Sequence, residues 1–418
     1  MVNEILRTDI PDDWNIKKLE PDVGFVRSGK RLPKGYYVTP IPTQHPYIRV
    51  ADMRPGYVDV DGLMYVPDEA YSRIQKYRIY RDDIYISVAG TLGIVGQIPD
   101  YLDGANLTEN ANRITDIKCN IKFFMYWLMS SKIQGLINQT QTLGAQPKLA
   151  LTRIRNFPII LPPIDEQEQI AEVLCNVDTL ITNLRKLIRK KKDIRQGTMQ
   201  MLVTGKKRLD GFDGDWQTTT LDKLCRLVTK QTGFDYSAEI KPSLITAPQI
   251  GTIPFIQNKD FEAFDINYNT DFYIPYNVAE KYPKILLDEV CLLISISGRI
   301  GNVAVFDNKQ MAFAGGAVGI AKLFDPDLAS WCMLYLSGKD GQEQIFSNEK
   351  VGAQHNLTVA DVRKLEIRLP EKTEREAIIG VLADMDDEIS LLVEKLHKYE
   401  KVKKGMMEEL LTGKVRLV

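Results

Sequence analysis

The sequence predicts an α+β protein with two tandem mixed, mainly β domains separated by a long antiparallel two-helix coiled coil, with pseudo-two-fold symmetry. Three observations lead to this prediction. One offset of 208 residues aligns most of the chain with itself. Residues 165–203 and 373–411 carry apolar side chains at heptad spacing. The remaining segments are rich in Gly, Pro, Tyr and β-branched residues, which favour strands and turns.

The internal repeat keeps one register over four blocks. The matching pairs are ISVAGTLG at 86–93 with ISISGRIG at 294–301, LGAQPKL at 143–149 with VGAQHNL at 351–357, ILPPIDEQEQIAEVL at 160–174 with RLPEKTEREAIIGVL at 368–382, and MLVTGKKRL at 201–209 with ELLTGKVRL at 409–417. Near the start the offset falls to 202, where DDWNIKKL at 12–19 matches GDWQTTTL at 214–221. Repeats of this kind indicate a duplicated structural unit. The predicted division is 1–163 and 206–371 for the domains, and 164–205 and 372–418 for the long helices.

Each copy contains recognisable local elements. Short buried strands are predicted at 82–90, 157–162, 288–298 and 365–370, where apolar runs end in Gly or Pro. One helix is predicted at 121–138, capped by Asn120. Its core-facing residues are Phe124, Trp127, Leu128 and Leu136. The corresponding helix of the second copy begins after Pro326, and its core-facing residues are Leu328, Cys332, Leu336 and Ile345.

The heptad segments predict two helices of about 33 residues, roughly 50 Å long. The seam residues are Ile170, Leu174, Val177, Ile181, Leu184 and Ile188 in the first helix, and Ile378, Leu382, Met385, Ile389, Leu392 and Leu396 in the second. To bury its seam the second helix has to run back along the first, so the pair is expected to be antiparallel. Gly197 and Gly405 occupy matching positions late in the two helices and mark either a close helix approach or a fray or kink.

Composition excludes several classes of protein. The net charge is −1, so any contact with nucleic acid depends on local basic surface. The five cysteines show no CxxC spacing and the three histidines lie far apart, so neither a disulfide framework nor a zinc site is expected. The odd number and the spacing of the cysteines favour a reducing cytoplasm. No signal peptide or membrane span is predicted.

Taken together, the tandem repeat, the LPPIDEQEQIAEVL and LPEKTEREAIIGVL helix openings, the GAQ loops, the SxxGxxG turns and the LxTGKxRL ends resemble the specificity subunits of type I restriction-modification enzymes. The resemblance covers essentially the whole chain and implies a bacterial or archaeal protein. It implies two target-recognition domains that each read one half of a split, asymmetric site in double-stranded DNA, with the helices setting the gap. It also implies partners: two methyltransferase subunits docked on the helices, and motor-nuclease subunits in the full complex.

The resemblance further implies that this chain performs no chemistry and binds no cofactor or metal. S-adenosylmethionine, ATP and Mg²⁺ are then expected on the partner subunits. The sequence agrees, because it lacks GxxxxGK[ST], [NDS]PP[YFW], GxSxG and HExxH motifs. The acidic residues Asp384, Asp386 and Asp387 lie on the second long helix, where a solvated face or a partner surface is expected.

Comparing the two copies predicts which side chains contact DNA. If the copies read different sequences, base-reading side chains should differ between equivalent loops. The differing candidates are Thr91 against Arg299, Lys148 beside Pro147 against His355 and Asn356, and Arg49 against Gln257, Asn258 and Lys259. Arg suits guanine, and Asn or Gln suits adenine, through paired hydrogen bonds to the base edge. Gln146 and Gln354 are identical in the two copies and are expected to hold a turn or touch a phosphate.

Basic residues suggest further contacts. Arg27, Lys30, Arg31 and Lys34 form a basic loop in the first domain, with Lys230 as the nearest counterpart in the second. Such loops contact phosphates or are simply solvated. Residues 185–208 contain ten basic residues and one acid, a pattern that fits a solvated helix face, DNA between the half-sites or an acidic partner.

Two other functions remain open from the sequence. The chain is alternatively a coiled-coil interaction scaffold without sequence-selective DNA binding, or an enzyme acting alone. Selective DNA binding by the assembled complex separates the first of these from DNA recognition. A methylation assay on the isolated chain tests the second.

Overall fold

A computed structural model describes residues 10–140, 147–262, 264–347 and 356–417. The chain divides into two compact units. Unit 1 contains residues 1–186 and 393–418, and unit 2 contains residues 187–392. The fold is mixed α/β, with a sheet-rich domain in each unit and two long helices.

Unit 1 begins with a mainly β domain. Its strands are β1 Asn15–Lys18, β2 Phe25–Ser28, β3 Pro46–Ile48, β4 Met53–Arg54, β5 Tyr57–Val58, β6 Met64–Tyr65, β7 Arg78–Ile79, β8 Ile84–Ser87, β9 Val95–Gly96, β10 Ala105–Leu107, β11 Ala111–Thr115 and β12 Pro158–Leu161. Its helices are α1 Asp68–Ile74, α2 Ile121–Met129, α3 Ser131–Thr140 and α4 Leu151–Arg155. Two four-stranded sheets, ordered β6-β3-β10-β7 and β2-β11-β8-β9, form the domain together with the pairs β1-β12 and β4-β5.

Long helix α5 Ile164–Val203 follows, and the domain of unit 2 comes next. Its strands are β13 Gln217–Thr220, β14 Cys225–Lys230, β15 Thr252–Ile256, β16 Phe261–Glu262, β17 Asp265–Ile266, β18 Tyr273–Pro275, β19 Leu286–Leu287, β20 Cys291–Ser295, β21 Val303–Phe306, β22 Ala312–Ala314, β23 Val318–Leu323 and β24 Glu366–Leu369. Its helices are α6 Leu221–Leu224, α7 Tyr276–Ala279, α8 Leu328–Ser337, α9 Lys339–Ser347 and α10 Val359–Arg363, and long helix α11 Lys372–Leu410 ends the chain.

The two domains share one topology. The sheets of unit 2 are ordered β18-β15-β22-β19 and β14-β23-β20-β21, and the pairs are β13-β24 and β16-β17. Each sheet or pair has its counterpart in unit 1 in the same order. The parallel pairing of β3 with β10 recurs as the parallel pairing of β15 with β22. The sequence repeat is therefore a repeat of the fold.

Apolar residues of the predicted elements form the cores. Asn120 caps α2, because its side chain accepts a hydrogen bond from the Phe123 backbone N–H at 3.0 Å. The predicted core residues of both copies are buried. The single helix predicted at 121–138 is wrong, however, because Ser130 has extended dihedrals and separates α2 from α3. The second copy is interrupted in the same way at Gly338.

The long helices begin and end within one residue of the heptad segments, and at 40 and 39 residues they exceed the predicted length. Val177 is half-buried, and the other seam residues of α5 are buried. Of the seam residues of α11, Ile378 and Leu382 are buried and the other four are half-buried.

Ion pairs join the long helices within each unit. In unit 1, Asp178 pairs with Lys403 at 2.6 Å. In unit 2, Asp386 pairs with Arg195 at 2.7 Å. These two pairs occupy equivalent positions at the 208-residue offset. Within each unit, contacts later in α5 are made to earlier positions in α11, so the helix segments run antiparallel.

The segment that follows each long helix completes the core of a domain. In unit 1, Arg416 donates to Glu166 at 2.7 and 2.8 Å, and the Trp14 indole N–H donates to the same carboxylate at 3.1 Å. In unit 2, Arg208 and the Trp216 indole donate to Glu374. Both carboxylates are almost fully buried. A buried carboxylate requires such partners, so this triad fixes the entry to each long helix.

The matching glycines do not lie at a close helix approach. A Cβ atom added at Gly197 or Gly405 would meet no heavy atom within 4 Å, and both positions are exposed. Each residue lies within an uninterrupted helix. The close-approach interpretation is therefore wrong for these residues within their units.

Candidate nucleic-acid interface

The loops that the sequence singled out lie side by side in each unit. In unit 1 the turn after β8 pairs with the segment before α4, because Leu149 N–H donates to the Val88 carbonyl at 3.0 Å and Ala89 bridges to Lys148. In unit 2, Leu357 N–H donates to the Ile296 carbonyl at 2.9 Å and Ser297 bridges to Asn356. Two loops far apart in sequence thus form one edge of each domain.

Exposed side chains line this edge. Thr91 and Arg299 are exposed in the two turns, and Lys148 and Asn356 are exposed in the segments that pair with them. Gln146, Gln354 and His355, which the sequence predicts as contacts or turn residues, lie outside the described residues.

A polar framework that the sequence analysis missed holds both turns. The Ser87 hydroxyl accepts from Ile94 N–H, and the Ser295 hydroxyl accepts from Asn302 N–H, each at 2.8 Å. Gln134 donates to the Gly93 carbonyl at 3.0 Å, and its counterpart Gln342 donates to Gly301 at 2.9 Å. The serines, the glutamines and the glycines of these bonds are identical at the 208-residue offset, and this identity is the sequence signal that could have found them.

The candidate DNA-contacting side chains in the segments after β3 and β15 make different hydrogen bonds in the two units. Arg49 donates from Nε and Nη2 to the buried carboxylate of Asp52, and Nη2 also donates to the Gly62 carbonyl at 2.9 Å. Asn258 donates to the Ser297 carbonyl at 2.8 Å, which ties this segment to the turn carrying Arg299.

Two neighbouring candidates of unit 2, Gln257 and Lys259, are less available to contact DNA. Gln257 N–H donates to the buried Asp260 carboxylate at 2.7 Å, and Gln257 is half-buried. Lys259 is exposed and forms an ion pair with Asp271. Asp52 and Asp260 are equivalent, so the turn they hold is shared framework.

The basic loop of unit 1 is an exposed surface. Arg27 lies on β2 with its guanidinium 5.3 Å from the centre of the Phe25 ring. The ammonium of Lys30 lies 5.7 Å from the centre of the Tyr77 ring. Lys34 is exposed, whereas Lys230 in unit 2 is half-buried at the end of β14.

Arg31 belongs to a polar network. Its Nε donates to Glu109 Oε1 at 2.5 Å. Thr108 Oγ1 donates to Glu109 Oε2 at 3.1 Å, and the Tyr47 hydroxyl lies 3.4 Å from the same oxygen. The Tyr47 hydroxyl also donates to the Lys30 carbonyl at 3.1 Å. A cleft of about 530 Å³ opens beside these residues and is also lined by Lys34, Tyr36 and Tyr37.

Two pKa values reflect this network. Burial raises the pKa of Tyr47 to about 12, so its hydroxyl keeps its proton at neutral pH. Burial also acts to raise the pKa of the Glu109 carboxyl, but the bond from Arg31 and the bonds from backbone and Thr108 outweigh it. That pKa is lowered from its ordinary value, and Glu109 is ionised.

The basic run 185–208 is partly used inside the protein. Four of its cations, Arg185, Lys191, Arg195 and Arg208, pair with carboxylates of α11 in their own unit. Asp386, one of the three clustered acids of α11, is one of those carboxylates. Among the described residues no group of three His, Cys, Asp or Glu side chains is placed to hold a metal ion. No helix in the described part of the chain is long and apolar enough to cross a membrane.

Comparisons with known proteins agree with the repeat. The family model described as type I restriction modification DNA specificity domain matches residues 11–192 and again 214–403. The putative type I restriction enzyme MjaX specificity subunit of Methanocaldococcus jannaschii is 26% identical, covering 98% of this chain and 95% of the relative. The MjaVIII specificity subunit of the same organism is 23% identical, covering 98% and 94%.

Two solved structures share the fold. One comes from a study of complex assembly and conformational transition of the type I R-M system, with a TM-score of 0.59, 15% identity, and coverage of 98% of this chain and 100% of that one. The other is the type I restriction-modification S subunit from M. genitalium, with a TM-score of 0.52, 15% identity and 97% coverage of both chains.

Proposed function

The chain belongs to the type I restriction modification DNA specificity family, and from this membership we propose that it is the DNA sequence-recognition subunit of a type I restriction-modification complex. Each domain reads one half of a split, asymmetric site in double-stranded DNA. The carrying observation is the repetition of one fold whose edge loops share a framework but differ in exposed side chains, such as Thr91 against Arg299. Different side chains on the same framework are what two unlike half-sites require.

The test is co-expression of the chain with the methyltransferase encoded beside it, followed by genome-wide sequencing of modified adenine. We expect one motif with two unlike halves and a fixed gap. Exchange of either domain for that of a relative should change one half only. A stable complex that modifies no defined motif would contradict sequence recognition and favour the scaffold function.

We propose that the long helices form the antiparallel, pseudo-two-fold coiled coil that sets the gap, with the predicted division at 163, 205 and 371. A helix of 40 residues is roughly 60 Å long, more than one turn of B-DNA at about 34–36 Å. The test inserts one heptad into each helix, between residues 186 and 187 and between 392 and 393. Seven residues add about 10.5 Å, or about three base pairs, to the gap. An unchanged gap would contradict the proposal.

The helices are also proposed to dock two methyltransferase subunits. Four apolar side chains recur on α5 at intervals of seven, and their exposed fractions are 36–46%: Leu180, Leu187, Ile194 and Met201. A regular apolar stripe on a long helix is a protein-binding feature. Leu187→Asp with Ile194→Asp should prevent co-purification of the methyltransferase, whereas Arg189→Asp on another face should not. Equal effects of these variants would argue against the stripe.

We propose that the chain itself is not an enzyme. S-adenosylmethionine, ATP and Mg²⁺ are then bound by the methyltransferase and motor-nuclease partners. The isolated chain should transfer no methyl group to DNA under conditions in which the complex does, and measurable transfer by the purified chain alone would refute this.

A further inference from the structure

We propose that Arg31 reads a base edge in the half-site of the first domain, and that Glu109 is the positioning residue that aims it. The inference rests on the proposed function and assigns one of its contacts. Guanine is the expected base, because its O6 and N7 accept a paired bond from a guanidinium. The sequence alone had placed Arg31 among residues that touch phosphate.

The geometry of Arg31 distinguishes it from neighbouring arginines. Its side chain is 78% exposed, yet one edge is fixed by the bond from Nε to Glu109. Within the described part of the chain, neither terminal nitrogen of Arg31 has a hydrogen-bond partner. Arg49 and Arg54, by contrast, use their terminal nitrogens on Asp52, Asp59 and backbone carbonyls. Arg31 thus presents the two donors that a paired contact needs.

Glu109 is held firmly enough to act as a positioning residue. Its side chain is 28% exposed, and its second oxygen accepts a hydrogen bond from Thr108 and lies 3.4 Å from the Tyr47 hydroxyl. Orienting an arginine in advance reduces the entropy lost when it binds. The loop itself is fixed close to Thr108, because a Cβ atom at Gly29 would lie 2.0 Å from the Thr108 carbonyl oxygen.

The surroundings of Arg31 suit a DNA surface. Tyr37 is 82% exposed on the same loop, and Lys34 is exposed beside it. The guanidinium of Arg73, on α1, lies 5.6 Å from the centre of the Tyr36 ring. Helix α1 therefore adds a cation that the sequence had not assigned to this surface. Cations around a reading arginine supply phosphate contacts that position the duplex.

The second domain lacks the whole network. Thr108 N–H donates to the Ile48 carbonyl as Gly315 N–H donates to the Ile256 carbonyl, which aligns the two segments. Ser28 is paired with Asn112 as Lys230 is paired with Gly319, which aligns the basic loop. On these alignments the counterparts of Arg31, Tyr47, Thr108 and Glu109 are Gly233, Phe255, Gly315 and Gly316. Every polar group is lost together, as expected for a contact that serves one half-site only.

The experiment maps the methylated motif of the full chain, co-expressed with the neighbouring methyltransferase, in five versions. They are the wild-type chain, Arg31→Ala, Arg31→Lys, Glu109→Gln and the control Arg81→Ala, because Arg81 is an exposed arginine of the same domain that is not among the candidate DNA contacts. We expect Arg31→Ala and Arg31→Lys to relax one position of one half-site. Discrimination at that position should fall on the order of 10- to 100-fold, the value of a paired base contact. Glu109→Gln should relax the same position less, and Arg81→Ala should leave the motif unchanged.

The outcomes are separable. If wild type yields no motif, the proposed function fails. If wild type yields a split motif and Arg31→Ala keeps full discrimination, the assignment of Arg31 is overturned. If Arg31→Ala abolishes modification and Arg31→Lys restores the complete motif, Arg31 is a phosphate contact, which also overturns it. If Glu109→Gln leaves the position fully discriminated while Arg31→Lys relaxes it, the positioning role of Glu109 is overturned.

Discussion

Gly197 and Gly405 offer a direct test of how the long helices are built. Both lie in the interior of uninterrupted helices, and both are exposed. An added methyl group would meet no heavy atom within 4 Å. Gly197→Ala and Gly405→Ala should therefore remove the backbone entropy cost of glycine without creating a clash.

The expected magnitude follows from helix propensity. Alanine is favoured over glycine by about 1 kcal/mol in a helix interior. Gly197 belongs to unit 2 and Gly405 to unit 1, so the two effects should add to about 2 kcal/mol in the double variant. For a unit of this size, each substitution should raise the midpoint of thermal unfolding by about 2–4 °C.

Urea titration and calorimetry on the full chain measure the effect. Gly205→Ala is the matched control, because Gly205 has φ +69° and an alanine there is strained by about 1–2 kcal/mol. We expect opposite signs for Gly197→Ala and Gly205→Ala. A neutral or destabilising Gly197→Ala would refute the reasoning, since it would mean that the helix is interrupted there or that its face is occupied.

Three further results are expected. Gly29→Ala places a Cβ atom 2.0 Å from the Thr108 carbonyl oxygen and should lower the free energy of unfolding in urea by about 1–3 kcal/mol. An unaltered unfolding midpoint would contradict this close approach. Arg195→Asp or Asp386→Arg alone should lower the free energy of unfolding by about 1–2 kcal/mol, since the carboxylate is half exposed. The combined exchange restores an ion pair and should recover most of this loss. Purely additive losses in the double variant would contradict the pair. Because the pKa of Glu109 is lowered in the folded protein, its carboxylate stabilises the fold at pH values above its ordinary pKa of 4.5. This stabilisation is lost as the pH falls through the pKa of the folded state. The stability gap between wild type and Glu109→Gln should shrink on acidification below pH 4.5, and a pH-independent gap would refute this.

Local sequence signals predicted the long helices well. A heptad pattern repeats many times along 165–203, and each repeat constrains the same face, so the ends fall within one residue of α5. The cap at Asn120 and the strand around 84–87 follow from equally local features. The duplication predicted that both copies share one topology, and the strand order confirms it.

A side-chain hydrogen bond accompanies the break at Ser130. The apolar run of α2 continues toward α3 without Gly or Pro, so helix periodicity predicted one element. In the structure Gln134 donates to the Leu128 carbonyl at 3.0 Å, which satisfies a group that the break leaves free. Gln342 donates to the Leu336 carbonyl at 2.7 Å in the other copy. A side chain that replaces a helix bond is not visible in hydrophobic spacing.

Comparison of the two sequence copies could not predict the network around Arg31, for a related reason. Its members are separated by up to 78 residues and meet only through strand pairing and loop packing. The 208-residue offset also pairs Glu109 with Ala317, whereas backbone hydrogen bonds pair it with Gly316. A shift of one residue in an exposed loop is enough to hide which side chains correspond.

Comparison of the two copies distinguishes structural contacts, which occur in both units, from candidate DNA contacts, which occur in one. Three polar arrangements recur in both units: the Trp–Glu–Arg triad, the ion pair between long helices, and the serine and glutamine bonds that hold the edge turn. Each satisfies buried or backbone groups, and loss of any of them would leave such a group unpaired. The Arg31 network differs, because Nε of Arg31 bonds to Glu109 whereas its two exposed terminal nitrogens bond to nothing among the described residues. The bond to Glu109 contributes to the folding of the first domain, but the two terminal nitrogens of Arg31 do not, and the proposed base edge would satisfy them.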